Sequence, residues 1–539
     1  MLLQIGPFLR AELIDRDEAF YRTFASVAAQ GGRLYVDFWD SHFPALYGLY
    51  AFVLNHIGGM TALRIVMLAT VWSGALLFYL LLRRVAGKGA ALVGVAAFAL
   101  TVTSEQLEGR AVNTEHFIQT FVLASLVVAS PATRSRLLAA GAFVGIAALF
   151  KQQAILYLAV VAVMVPGNRI PSLALLGVGA AIPISLTLVW AAAHGTLGAM
   201  YDAAVVSLFT ERVGATGGLH RAHAVWELLG DIFRHAPTIV LGALLGVGLL
   251  LERRGSATDS AAEEPVANGG GDEESVPRAG GDEEGRTRYD VVPDLVWIGL
   301  GCLAIVLAGR RFPHYAILLV PPALRMALAA LDGSRPRLAA RSVSWALLAF
   351  LCVDAGLDAT GTIQSQFGAY RSTARAEDWD EYPAAQYLRA RMKPEETLFV
   401  WGPRPALYHF TERVPTTPFV VQGSLVAASE MARTLVAALA DELRREPPSY
   451  IVVTPAPKEF SLDRPELGAL RTILESDYRP EHEVDGYAVY RRSLAAADHP
   501  VTAVRSSAPE PALPPPSAPG TGPTSEGPSP LRAGTPARD

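Results

Sequence analysis

Residues 62–82 read ALRIVMLATVWSGALLFYLLL, a run in which Arg64 is the only charge. About 20 mostly apolar residues suffice for a helix to cross the hydrocarbon core of a bilayer, so this run reads as a membrane span. Nine more candidates follow, near 89–104, 115–130, 137–150, 152–166, 172–192, 237–251, 293–309, 315–330 and 341–357. The apolar residues stand in blocks, not in the one-sided stripes of soluble helices. Ten candidate spans predict a polytopic α-helical membrane protein.

The composition agrees. Of 539 residues, 51% are hydrophobic and 18% are charged, with a mean hydropathy of +0.29. A soluble domain carries roughly 25% charged residues. A cytosolic enzyme, a DNA-binding factor and a fibrous chain are thereby excluded. Cys302 and Cys352 both lie in apolar runs and suggest neither a disulfide framework nor a zinc site. The net charge is −5, and residues 255–288 alone hold nine acids against three bases. The remainder is near neutral, so no nucleic-acid partner is implied.

Lys- and Arg-rich short loops orient the spans. Arg83-Arg84 with Lys88, Arg134 with Arg136, Arg169, Arg253-Arg254, and Arg335 with Arg337 and Arg341 mark one side. They alternate with loops of another character at 105–114, near Lys151, at 193–236 and at 310–314. The alternation puts residues 1–61 and everything after about 358 on the non-cytoplasmic side, in a multi-pass cell-membrane protein. Met1 to Leu13 include Arg10 and Glu12 and cannot span, so either a further first helix is expected ahead of Met1, the preferred reading, or the N-terminus is translocated without one.

Outside the spans, residues 255–288 repeat GGDEE at 270–274 and 280–284, and residues 499–539 hold eleven prolines. Neither composition can bury a core, and both read as disordered. Residues 358–498 read differently. A helix from Pro383, a strand at Leu398–Trp401 ending on Gly402, a helix over 424–446, a strand at 450–454, a helix over 464–476 and a strand pair over 482–491 predict a small extracytoplasmic α/β domain. The chain thus divides into a 1–61 acidic loop with interfacial helices, a 62–357 helical membrane domain, the 358–498 α/β domain and the tail.

The loop from Asp15 to Tyr50 carries the chemistry: DRDEAFYRTFASVAAQGGRLYVDFWDSHFPALYGLY. Asp15, Asp17 and Glu18 precede an amphipathic helix over Ala19–Ala29, stopped by Gly31-Gly32. Asp37, Asp40 and His42 precede a helix starting near Pro44, a favoured first-turn position. The result is a cluster of acids beside two interfacial helices. A positioned carboxylate there suits general-base work on an acceptor hydroxyl. The plainer reading is solvated acids that cap helices.

The Asp-Glu pair, then Gly-x-Leu-Tyr-x-Asp, then Asp40-Ser41-His42-Phe43-Pro44, resembles the first lumenal loop of the GT-C glycosyltransferases. The closest branch is that of the protein O-mannosyltransferases and lipid A aminoarabinose transferases, with Phe43 replacing the first proline of Asp-x-His-Pro-Pro. The likeness extends to Asn113-Thr114-Glu115, Lys151 and Arg310-Arg311-Phe312-Pro313-His314-Tyr315, and covers roughly residues 14–498. It implies a polyprenyl-phosphate-linked sugar donor and an acceptor that is a glycan, lipid or protein. Asp17 would be the base in an inverting attack, with Glu18 and Asp40 orienting the acceptor or supporting Asp17. His42 and Glu115 would line the substrate site.

A lipid phosphate leaving group needs cations near the membrane surface. Arg310, Arg311 and His314 stand at an outer span end, and Lys151 lies between two apolar runs where an unpaired charge is expensive. The plainer roles are snorkelling for the arginines, pairing with Glu115 for Lys151, and helix capping for Asn113 or Thr114. Asp15-Arg16-Asp17 and Asp378-Trp379-Asp380 match the Asp-x-Asp of metal-dependent nucleotide-sugar transferases. Both fall on the side where nucleotide sugars are scarce, so neither a metal nor another cofactor is expected. A lipid-linked-sugar transporter is the competing class. It would place ionisable residues at the bilayer midplane and show repeated halves, whereas these charges collect at one interface and no repeat is visible.

Overall fold

The computed structural model describes residues 5–165, 167, 169–207, 230, 290–308, 312–332, 379–427 and 429–493. The expected spans 237–251 and 341–357, the loop 255–288, Arg310, Arg311 and the tail 499–539 lie outside the described residues.

After a 3-10 turn over Gly6–Arg10 comes the first α-helix, α1 (Arg16–Ala29). Asp15 starts it: its side chain accepts the Glu18 amide at 2.8 Å, and Asp17 and Glu18 sit in the first turn, where the helix dipole favours acids. Gly31, at φ 82°, ends it; its amide and that of Gly32 return to the carbonyls of Ala28 and Val27. Pro44 then leads into α2 (Ala45–His56). The facing sides of these helices interleave aromatics: Tyr47 lies 5.1 Å from Tyr21 and 5.3 Å from Phe24, ring centre to ring centre, and Phe38 packs beside Phe24 at 5.3 Å. The amphipathic face expected at the membrane interface is thus buried against protein.

Apolar helices follow where spans are expected: α3 (Met60–Leu82), α4 (Lys88–Val102), α5 (Thr114–Val128), α6 (Arg134–Phe150), α7 (Tyr157–Met164), α8 (Arg169–Ala193), α9 (Val292–Ala308) and α10 (Val320–Asp332). Among them α3 and α8 are long and apolar enough to cross a membrane. Two interruptions shape the site. Lys151 is extended (φ −157°, ψ 124°) between α6 and a 3-10 turn over Gln152–Leu156. A second 3-10 segment, Pro313–Leu319, precedes α10. Pro321 and Pro322 explain its persistence, because proline has no N–H to give to the carbonyl four residues back. The Ile317 carbonyl takes the Val320 amide in the 3-10 pattern and also accepts Gln119 Nε2 at 2.6 Å.

The α/β part contains α11 (Tyr382–Arg389), β1 (Leu398–Trp401), α12 (Ala406–Phe410), α13 (Glu430–Arg445), β2 (Tyr450–Val453), α14 (Gly468–Asp477), β3 (Tyr478–Val484) and β4 (Tyr487–Arg492). The sheet order is β1-β2-β4-β3, with β1 and β2 parallel and the remaining pairs antiparallel. Asp485 and Gly486, both at positive φ, make the tight turn of the β3–β4 hairpin. β1 is buried along its length and β2 as far as Val452, and they form the centre of this core with α13 and α14.

This part seats directly on the N-terminal loop. The Trp39 amide donates to the Pro418 carbonyl at 2.8 Å, and the Trp39 ring meets Phe419. His409 Nε2 and Glu12 Oε1 are 2.6 Å apart. Arg16 and Arg404 both lie against Asp380 and Glu381.

Candidate active site

A cavity of about 250 Å³ opens between the helices and the α/β part. Its walls include Asp17, Asp40, His42, Glu115, Lys151 and His314, six of the residues expected from sequence. Aromatic side chains of Phe20, Tyr21, Trp39 and Phe312 line it as well, and Pro403, Pro405, Val421, Gly423 and Ser424 come from the α/β part.

Asp17 reaches the cavity from the first turn of α1, half-buried. Among the described residues no hydrogen bond or ion pair holds its carboxylate, which leaves the oxygens available to a ligand. Asp15 is spent on the N-cap. Burial, then the charges of Asp17 and Glu18, push the Asp15 carboxyl well above its usual range.

Glu18 requires a correction. It is fully buried and does not line the cavity. Its Oε2 accepts Arg64 Nη2 at 2.7 Å and the Ile14 amide at 2.8 Å; its Oε1 accepts the Val112 amide at 3.2 Å. Successive helix residues point in different directions, so Glu18 cannot share the surface that Asp17 faces. Its carboxylate is a structural counter-ion to Arg64, the one charge in the 62–82 run.

Asp40 is held from three donors, all on Oδ2: His42 Nδ1 at 2.6 Å, the His42 amide at 3.0 Å and the Tyr47 hydroxyl at 2.5 Å. Burial alone would raise its pKa; the neighbouring His42 and these hydrogen bonds outweigh it and hold the carboxyl well below the usual range. The Tyr35 hydroxyl donates to the His42 carbonyl at 2.8 Å, and Gln152 Nε2 to the Ser41 carbonyl at 2.6 Å. The Asp-Ser-His segment is therefore fixed on both sides.

On the helical side, Lys151 Nζ donates to Glu115 Oε1 at 2.9 Å and lies 3.6 Å from the centre of the Tyr315 ring. A cation after the last turn of α6 also meets the negative end of that helix. Thr114 Oγ1 donates to Glu115 Oε2 at 2.8 Å. The pairing of Lys151 with Glu115 raised as its plainer role is thus present, at the cavity wall. Asn113 is the N-cap of α5 but makes no side-chain cap bond; its Nδ2 is buried, without a partner among the described residues, beside the cavity.

The first Asp-x-Asp sequence does not form a ligand pair. Asp15 is an N-cap, Asp378 lies outside the described residues, and Asp380 sits between two arginines. Among the described residues no group of three His, Cys, Asp or Glu side chains stands ready for a metal ion.

Sequence reasoning missed Tyr47, Arg64, Glu108 and the α/β-part wall. Arg64 carried a signal, as a lone charge inside an apolar run, and Tyr47 stands seven residues after Asp40; Glu108 and the α/β-part wall depend on contacts made across long separations in the chain.

The fold is shared with a solved structure. The chain is similar to ArnT from Cupriavidus metallidurans in the apo state, with a TM-score of 0.52 and 12% identity over 92% of this chain and 96% of that one. The same protein bound to undecaprenyl phosphate gives 0.49 at 12% identity, covering 92% and 97%. The archaeal oligosaccharyltransferase AglB from Archaeoglobus fulgidus gives 0.40 at 14%, covering 90% and 70%. Neither a family model nor a curated protein matches the sequence. The GT-C likeness read from the first loop holds at the level of the fold.

Proposed function

We propose that this protein is an inverting membrane glycosyltransferase. It moves a sugar from a polyprenyl-phosphate carrier to an acceptor hydroxyl of a cell-envelope glycan, lipid or protein. One observation carries the reading: an uncommitted carboxylate, Asp17, and two buried basic side chains, Lys151 and His314, share a cavity of monosaccharide scale.

Asp17 takes the proton of the acceptor hydroxyl as its oxygen attacks the anomeric carbon. The bond from that carbon to the phosphate oxygen breaks on the opposite face, and the electron pair leaves with the lipid phosphate. Lys151 and His314 stabilise the charge that develops there. Asp40, ionised and fixed by His42 and Tyr47, orients the acceptor. Arg310 and Arg311 would add positive charge on the same side. The helices α3 to α10, with the candidate spans outside the described residues, cross the cell membrane about ten times, and the cavity and α/β part lie outside the cytoplasm. The reaction requires no divalent metal.

The test is transfer by the reconstituted full chain from a panel of radiolabelled polyprenyl-phosphate sugars to a cell-envelope extract. Label is expected in a new product, with and without chelator, and Asp17→Asn should lose at least about a hundredfold in rate. Label that only changes leaflet, equally in both proteins, would establish transport instead.

A further inference from the structure

His314 is 4% exposed, between acids from two different elements. Its Nδ1 lies 2.7 Å from Glu108 Oε2, a residue 206 positions earlier in the chain. Its Nε2 lies 4.0 Å from Glu115 Oε2, too far for a hydrogen bond, and has no hydrogen-bond partner among the described residues. The ring stacks on Phe312 (10° between planes) and meets Tyr315 edge-on. It is thus gripped at one nitrogen and open at the other.

The segment carrying Glu108 is built for this grip. Glu108 has φ 50°, a conformation that side chains other than glycine rarely adopt. Its amide donates to Glu105 at 2.8 Å, and the next amide, of Gly109, donates to the Ser104 carbonyl at 2.9 Å. A Cβ on Gly109 would come 2.1 Å from the Val102 carbonyl oxygen, so the turn admits only glycine there. Buried His116 donates from Nε2 to the Gly109 carbonyl at 3.1 Å, tying the turn to α5. Arg110 pairs with Glu105 at 2.8 Å.

We propose that Glu108 is a positioning residue for the transfer: through Nδ1 it holds His314 as the imidazolium, leaving Nε2–H as a charged donor facing the cavity. The inference rests on the reading of that cavity as the place where a lipid phosphate departs. Burial disfavours the cation and so does Lys151; Glu115, the Glu108 hydrogen bond and Asp17 favour it and prevail, so the His314 pKa lies above its ordinary value. Tyr315, against the ring edge, completes the set. Because its carboxylate is 41% exposed, Glu108 acts through a contact partly screened by solvent.

The experiment labels the histidines of the full chain with 15N and reconstitutes it in lipid nanodiscs. The His314 signal is identified by its loss in His314→Gln. In the unaltered protein the midpoint should lie above the ordinary histidine value of about 6.5. In Glu108→Gln the midpoint should fall by about one pH unit, and Glu108→Asp should recover part of it. An unchanged midpoint in Glu108→Gln, or a shift that Glu108→Asp does not recover, overturns the proposal. Farnesyl phosphate binding measured on the same samples separates the two readings. Binding weakened about tenfold at pH 8 but not at pH 6 in Glu108→Gln supports both. A shifted midpoint with no farnesyl phosphate binding to any of the proteins upholds the hold of Glu108 on His314 and removes both the lipid-phosphate reading of the cavity and a positioning role in the transfer.

Discussion

Asp17 and Glu18 are neighbours in sequence and serve opposite purposes. Asp17 faces the cavity without a protein partner, whereas Glu18 neutralises Arg64 where both are inaccessible to solvent. The guanidinium of Arg64 also donates to the Phe8 carbonyl at 2.9 Å and to that of Ala11, so it gathers the N-terminal turn onto α3. Removing one member of such a pair leaves an uncompensated buried charge, at a cost of about 3–5 kcal/mol, more than the pair itself contributes. Glu18→Gln should therefore lower the unfolding temperature strongly, and the double variant Glu18→Gln, Arg64→Met should recover part of the loss. Asp17→Asn should leave the unfolding temperature nearly unchanged while removing transfer. Thermal unfolding of the three purified proteins checks this; a strong drop in Asp17→Asn with none in Glu18→Gln would reverse the assignment of roles. An acid pair at a helix start is visible in the sequence, but which acid turns inward depends on where the helix begins and on Arg64, forty-six residues further on. For the same reason Asp40 and His42 were readable as a local motif, while Glu108, recruited through the fold, was not.

At the scale of elements, apolar blocks locate the helices closely because every backbone N–H in such a block must be satisfied within it. How those helices meet is decided by smaller features. α6 carries Gly141 and Gly145 one turn apart, and α8 carries Gly179 against them. A Cβ at Gly141 would come 2.0 Å from the Leu176 carbonyl oxygen, and one at Gly179 would come 2.1 Å from that of Leu138. The two backbones touch, as small residues four apart allow. Gly141→Leu should separate α6 from α8 and cost at least about 1–3 kcal/mol through overpacking. Gly177→Ala, on α8 but with nothing within 4 Å of its added methyl, should be neutral or stabilise by about 0.4–1 kcal/mol. Unfolding temperatures of both variants in detergent would test the contact, and equal effects would remove it. The block pattern reveals α6 and α8 but not their contact. Nor does it reveal the 3-10 segment before α10, since apolarity cannot distinguish bonding to the third residue from bonding to the fourth; Pro321-Pro322 was the available sign. The strands and longer helices of the α/β part were legible because alternation and turn residues are local, whereas the short α12 and the seat on the N-terminal loop were not.

Over the whole molecule, that seat completes the cavity, since Pro403, Pro405, Val421, Gly423 and Ser424 wall it from the α/β side. The contact between Glu12 and His409 gives the seat a pH dependence whose sign follows from both partners. Burial pushes the His409 pKa down, only partly offset by the hydrogen bond to Glu12. The seated form thus disfavours the imidazolium, so its stability is complete above the ordinary histidine value of about 6.5 and declines as pH falls below it. Glu12 is lowered chiefly by the hydrogen bond to His409, with burial opposing. Its contribution is present above the ordinary glutamate value of about 4.3 and is lost on further acidification. Both terms loosen the seat in acid, the histidine first. The unaltered protein should lose thermal stability between pH 7 and about 5.5, and His409→Gln, which has no such proton to gain, should lose less over the same window. The comparison within one window isolates His409 from the other histidines. If the two proteins lose stability in parallel, the acid sensitivity lies elsewhere. If His409→Gln is flat and its transfer rate at pH 5.5 exceeds that of the unaltered chain, the seat of the α/β part is what completes the cavity for the reaction.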